Sequence, residues 1–280
     1  MMLPFYLNPL SVFRTLDQID REPPSYTADR ASTSRTTLIV LFSTCVALLL
    51  LNYAKNSSSM VAALTQIALW QGHAGDYWIA KLDQTGFYDL GRYVWWSGWH
   101  VIAYVLIPAF VLRVFFQQRL IDYGWRWGET HKHWRGYLVL LSPILILVVL
   151  VSHRDDFVNH YPFYAQASRS WLDFIAWEFF YLLQFACLEF FYRGYMVQTL
   201  RPHYGSSAIW IMVVPYLMIH FPKPWLEATG AIFFGLFLGM LALRSRSIWG
   251  GFFVHAGVAI SMDIASLIQQ QRLPQQWLPW

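Results

Sequence analysis

Four side chains in the second half of this 280-residue chain could do chemistry: Glu189, Arg193, His220 and His255. Each lies within or at the end of a strongly apolar run. Glu189 and Arg193 are four residues apart, so a helix would place them on one face. Glu178 stands about three turns before Glu189, near the same stripe. His220 follows Pro215 and precedes Pro222 and Pro224, with Glu227 shortly after. His255 is near the middle of the last apolar run, and Asp263 is two turns further on. A carboxylate with an imidazole beside it can deprotonate a water. His220, His255 and Glu189 could equally ligate a divalent metal such as zinc, with water as fourth ligand. The residue types leave both chemistries open. Taken singly, the Glu–Arg pair would lock helices together and each histidine would be a hydrogen-bonded core residue.

The elements that must position these groups are membrane helices. Hydrophobic residues make up 56% of the chain and charged residues 13%, about half the charge of a soluble domain. Fifteen Trp, 16 Tyr and 21 Phe suit interfacial belts. Apolar runs recur at 36–54, 93–116, 136–152, 171–199, 206–222, 226–243 and 247–268. Residues 57–70 form a shorter run that reads as interfacial or re-entrant. Backbone polar groups in lipid must be satisfied within their own segment, so these runs should be helices. The expected fold is all-α, a polytopic integral membrane protein with about seven transmembrane helices, or eight if 57–70 also crosses. Its domains would be a polar cytoplasmic tail at 1–35 (with an interfacial stretch at Met1 to Phe13), a flank at 36–170, a core at 171–268 and a tail at 269–280. With the N-terminus inside, eleven Lys and Arg fall on inner segments and seven on outer ones, which favours a cytoplasmic N-terminus.

Charge is not spread evenly among the runs. The first three hold no acid, whereas the last four concentrate Glu178, Glu189, Arg193, His220, Glu227, His255 and Asp263. A charge at mid-bilayer costs about 2.5–3.5 kcal/mol on insertion scales, so a polar centre is expected in the last four helices. His131 and His133 near Glu129 read as a solvated loop, and His100 as an interface residue. The Gly235–Gly239 pair reads as a close-packing device. The net charge of +4, without a basic run, argues against nucleic acid as a partner. Cys45 and Cys187 make no disulfide framework. No HExxH, P-loop or GxSxG motif is present.

These residues also resemble a known pattern. Leu188-Glu189-Phe190-Phe191-Tyr192-Arg193-Gly194-Tyr195 resembles the first motif, EExxxR, of the CPBP family of CAAX proteases and bacteriocin-processing (Abi) membrane proteins. Tyr216 to His220 is similar to its second motif, FxxxH, with an aromatic exchange. His255 falls on the histidine of its third, HxxxN. The resemblance covers about residues 171–268. Two positions depart from the family: Leu188 replaces the first glutamate, and Ala259 replaces the asparagine. The resemblance implies that Glu189 and His220 activate water, that Arg193 orients Glu189, and that His255 stabilises an oxyanion. Glu227, Asp263 and Glu178 are candidate substitutes or supporting groups.

Two functional readings follow. In the first, the chain is an intramembrane endopeptidase of CAAX-protease type in a bacterial inner membrane, acting on a protein or peptide. Its water would be activated by Glu189 and His220 or by a metal. In the second, the same polar core is structural, in an inactive scaffold or immunity-type protein. A transporter would call for inverted repeats with broken helices, and no such symmetry is visible.

Overall fold

The computed structural model describes residues 9–21, 30–223 and 225–280. Residues 1–8 and 22–29, with part of the expected interfacial stretch and Pro23-Pro24, lie outside the described residues, as does Pro224. Among the described residues the fold is all helical. It comprises α1 (Pro9–Arg21), α2 (Arg30–Ala54), α3 (Ser57–Trp70) and α4 (Tyr77–Gln84). Next come α5 (Tyr88–Val114), α6 (Thr130–Val151) and α7 (Trp171–Tyr204). The chain ends with α8 (Ser207–Met218), α9 (Trp225–Ser245) and α10 (Trp249–Gln269). Six of these, α2, α5, α6, α7, α9 and α10, are long and apolar enough to cross a membrane. The chain is thus a polytopic integral membrane protein.

The 206–222 run forms a shorter helix than its hydropathy suggests. Helix α8 has 12 residues, about 18 Å at 1.5 Å per residue, against a hydrocarbon core of about 30 Å. It stops before Phe221-Pro222, because the residue preceding a proline is pushed out of the α region. Two helices carry a π-helical turn instead of a uniform ladder: Ile102–Leu106 in α5 and Phe190–Met196 in α7. The 57–70 run is helix α3, and the polar tail carries α1 and then, from Arg30 onward, the start of α2.

The chain divides into two compact units. The first comprises Met1–Val46, Tyr104–Ser142 and Leu188–Val254. There the glycines of α9 let α8 approach closely: a Cβ at Gly235 would meet Val213 and Tyr216, and one at Gly239 would meet Ile209 and Met212. Leu38, Phe42 and Phe110 remain exposed, as side chains bathed in lipid should. The loop before α8 is held by Asp20 of α1, which accepts from the Ser206 amide at 2.6 Å and its hydroxyl at 2.8 Å.

The second unit comprises Ala47–Ala103, Pro143–Cys187 and His255–Trp280. Its core gathers Tyr164, Phe174, Trp177, Tyr181, Ala259 and Leu267. The start of α7 is fixed by Asp173, which is fully buried. Its carboxylate accepts from Tyr164 Oη at 2.8 Å and Ser170 Oγ at 2.7 Å. Arg169 adds a two-pronged contact, Nε at 2.8 Å and Nη2 at 2.6 Å. The amides of Trp171 and Leu172 donate to the carbonyls of Gln276 and Trp277. The C-terminal tail thereby satisfies donors that a helix start leaves open. Asp173→Asn keeps the shape but removes the charge facing Arg169. It should cost about 3–5 kcal/mol, the usual penalty for breaking a buried pair, read as a lower denaturation midpoint in detergent micelles.

Candidate active site

The first unit assembles its polar centre on α7. Glu189 ends the regular part of that helix, and the π turn Phe190–Met196 follows at once. Both Glu189 and Arg193 are fully buried. Arg193 Nη1 stands 3.2 Å from Glu189 Oε1, as the four-residue spacing predicts. A π turn widens the ladder locally and is common where helices carry functional groups. Its aromatic residues, Phe190, Phe191, Tyr192 and Tyr195, are all buried. Tyr104 stacks on Phe191 with centroids 4.5 Å apart. The Tyr192 hydroxyl lies 3.4 Å from the Tyr104 hydroxyl and donates to the Pro215 carbonyl at 3.4 Å.

Tyr216 of α8 joins this pair to the histidine. The Arg193 guanidinium lies over the Tyr216 ring, 4.1 Å from its centroid, a cation–π contact strengthened by exclusion of water. The Tyr216 carbonyl accepts a hydrogen bond from His220 Nδ1 at 2.8 Å. A carbonyl can only accept, so Nδ1 carries the hydrogen, and in the neutral ring Nε2 is the nitrogen able to take a proton. The two rings also meet edge to face, with centroids 4.7 Å apart. One residue thus orients the cation through its side chain and the imidazole through its backbone.

Helix α10 closes on the same carboxylate. A Cβ at Gly251 would overlap the Glu189 carboxyl group, and one at Gly250 would overlap the Tyr137 ring. The glycine pair lets α10 backbone approach where any side chain would displace the acid. Tyr216 and Gly251 are the site residues that candidate chemistry alone overlooks. Their signals in the sequence were the aromatic four residues before His220 and the Gly250-Gly251 pair just before His255.

The remaining candidates lie elsewhere. Glu227 is exposed at the start of α9 and pairs with Lys223 at 3.2 Å, so it is a surface residue. Glu178 and Asp263 fall in the second unit, both buried and facing one another. Asp263 Oδ2 accepts the Trp177 indole N–H at 2.6 Å. His255 also falls in the second unit, stacked on Phe185 with centroids 5.2 Å apart. Among the described residues no group of three or more His, Cys, Asp or Glu is arranged to hold a metal ion. The ligand set suggested by residue type, His220, His255 and Glu189, therefore gains no support as a metal centre.

Chemically, the first unit presents a carboxylate held by a guanidinium and an imidazole with a defined tautomer. Arg193→Ala would leave Glu189 buried without its cation. It should cost about 3–5 kcal/mol, whereas Glu189→Gln with Arg193→Met removes both charges and should restore much of that loss. Denaturation midpoints of the three variants in micelles check the expectation.

Residues 169–261 match the family model of the Rce1-like type II CAAX prenyl endopeptidases. No curated protein and no solved structure matches the chain. The matched segment spans Glu189, Arg193, His220 and His255 and begins at the Arg169–Asp173 clamp. Over this segment, about a third of its length, the chain is similar to the CAAX protease family.

Proposed function

We propose that the chain is an intramembrane endopeptidase in which Glu189 is the general base and His220 helps to hold the attacking water. The observation that carries this reading is the buried Glu189–Arg193 pair joined through Tyr216 to His220. Glu189 takes a proton from the water as its oxygen adds to the peptide carbonyl. The same proton then passes from the carboxyl group to the leaving amine as the C–N bond breaks. Arg193 fixes the carboxylate and does not exchange a proton itself. The family resemblance assigns His255 to the developing oxyanion, a role commonly worth several kcal/mol. Leu188 stands where the family has its first glutamate, so one carboxylate must act first as base and then as acid. Protein groups alone carry these steps.

We also propose a cytoplasmic N-terminus, from the distribution of Lys and Arg, a bacterial inner membrane as the location, and a peptide bond of a membrane-associated protein as substrate. Leu188 and Ala259, both apolar and buried, favour one alternative, a scaffold that retains the ion pair structurally.

Glu189→Gln and His220→Ala decide between these readings. Each should lower the cleavage rate by about 10²–10⁴-fold, the usual contribution of general acid–base groups. Glu189→Gln also leaves Arg193 buried without its anion and should lower the denaturation midpoint, whereas His220→Ala spares the ion pair and should keep helicity and membrane insertion unchanged. Comparison of membrane proteomes from cells carrying wild type or either variant gives the readout. Well-folded variants with wild-type proteomes would leave the scaffold. Activity of the purified protein should survive strong chelation; its loss, with recovery on adding back zinc, would reinstate the metal-assisted route.

A further inference from the structure

The second unit contains an apolar groove that the reaction does not use. It has a volume of about 570 Å³ and lies among α3, α4 and the first half of α5. Its walls include Met60, Leu64, Leu82, Phe87, Trp95 and Trp99. It follows α5 from Phe87 to Ile102, about 22 Å at 1.5 Å per residue, which is the length of an extended fatty acyl chain. Two glycines on α5 open it. An added Cβ at Gly98 would have nothing within 4 Å, and one at Gly91 would only touch Leu82 at 3.9 Å.

The groove's surroundings identify what fills it. Helix α5 is a membrane-crossing element, so the medium beside it is lipid. Trp95 and Trp99 belong to the kind of aromatic belt that marks the level where headgroups meet acyl chains. At that level the Trp95 indole N–H donates to the Ala54 carbonyl at 2.8 Å, so Lys55 directly follows in the chain a residue tied to the groove wall. Lys55 is half-buried and pairs with no acid among the described residues. Burial lowers its pKa, the mark of a cation taken from water without a counter-ion. Arg92 is close by, with its Nε donating to Ser57 Oγ at 2.7 Å and its Nη1 3.2 Å from Asp89.

We propose that this groove holds one acyl chain of an anionic bilayer phospholipid, whose phosphate pairs with Lys55. The apolar wall takes the chain, and the uncompensated ammonium selects for net negative charge in the headgroup. The site is independent of the peptidase reading, since none of its residues belongs to the polar centre of the first unit.

The test uses the full chain in nanodiscs of phosphatidylcholine, with and without phosphatidylglycerol, and counts lipids that stay bound by native mass spectrometry. Wild type should retain phosphatidylglycerol in preference to phosphatidylcholine. Lys55→Gln should reduce that preference about tenfold, as expected for loss of one charge-assisted hydrogen bond. Gly98→Leu adds a Cβ that meets no protein atom within 4 Å, extends a side chain into the groove and should abolish retention of both lipids. Lys132→Gln, which alters a surface cation already paired with Glu129 at 2.6 Å, should behave as wild type. Unchanged melting temperatures in detergent would show that the variants fold. Equal retention of the two lipids by wild type, or wild-type retention by both Lys55→Gln and Gly98→Leu, would overturn the proposal.

Discussion

The ion pair between Glu189 and Arg193 is the constraint on which the first unit depends. Both ions are fully buried, and desolvating either one alone would cost several kcal/mol. Neither can be present without the other, and the pair needs further polar or aromatic partners. Tyr216 supplies its ring to Arg193, which draws α8 against α7. Gly251 supplies the absence of a side chain, which lets α10 approach the Glu189 carboxyl. The position of His220 then follows, because its ring is tied to the carbonyl of the same tyrosine. Electrostatics in a medium of low dielectric constant thereby determine where the imidazole stands.

The second unit meets the same physical demand differently. Asp173 is buried but accepts four hydrogen bonds from three neighbours, and Arg169 reaches on to the Gly86 carbonyl. This is a saturated cluster, and saturation suits a structural joint. Around Glu189 and Arg193 the guanidinium pairs with the carboxylate and lies over the face of the Tyr216 ring. The two clusters, both on α7, show how one helix carries a saturated joint at its start and a buried ion pair further along.

The loss of the family's first glutamate and of its third-motif asparagine alters the chemistry in a definite way. A leucine and an alanine occupy those positions, and both are buried. Nothing polar replaces them in sequence, and the nearby acid Glu227 is engaged with Lys223 at the surface. On the proposed reading, a water-activating site in this chain centres on one carboxylate, whose proton makes the whole journey from water to leaving group.

Composition and periodicity were enough to establish a polytopic helical membrane protein, because the cost of unsatisfied backbone in lipid leaves few alternatives. The apolar runs located the six spanning helices and α8. The i, i+4 spacing determined the Glu189–Arg193 pair, since that contact is internal to one helix. Contacts between helices were decided by packing. Hydropathy alone did not show that α8 stops at Met218, that Tyr216 would lie under Arg193, or that Gly251 would face Glu189. It also gave Glu227 and Asp263 equal standing as supporting acids, although one pairs with a surface lysine and the other is buried against Trp177 and Glu178. A one-dimensional pattern records which residues share a helix face. Which face meets which depends on side-chain volumes, glycine gaps and the pairing of buried charges, and these are settled only when the helices pack.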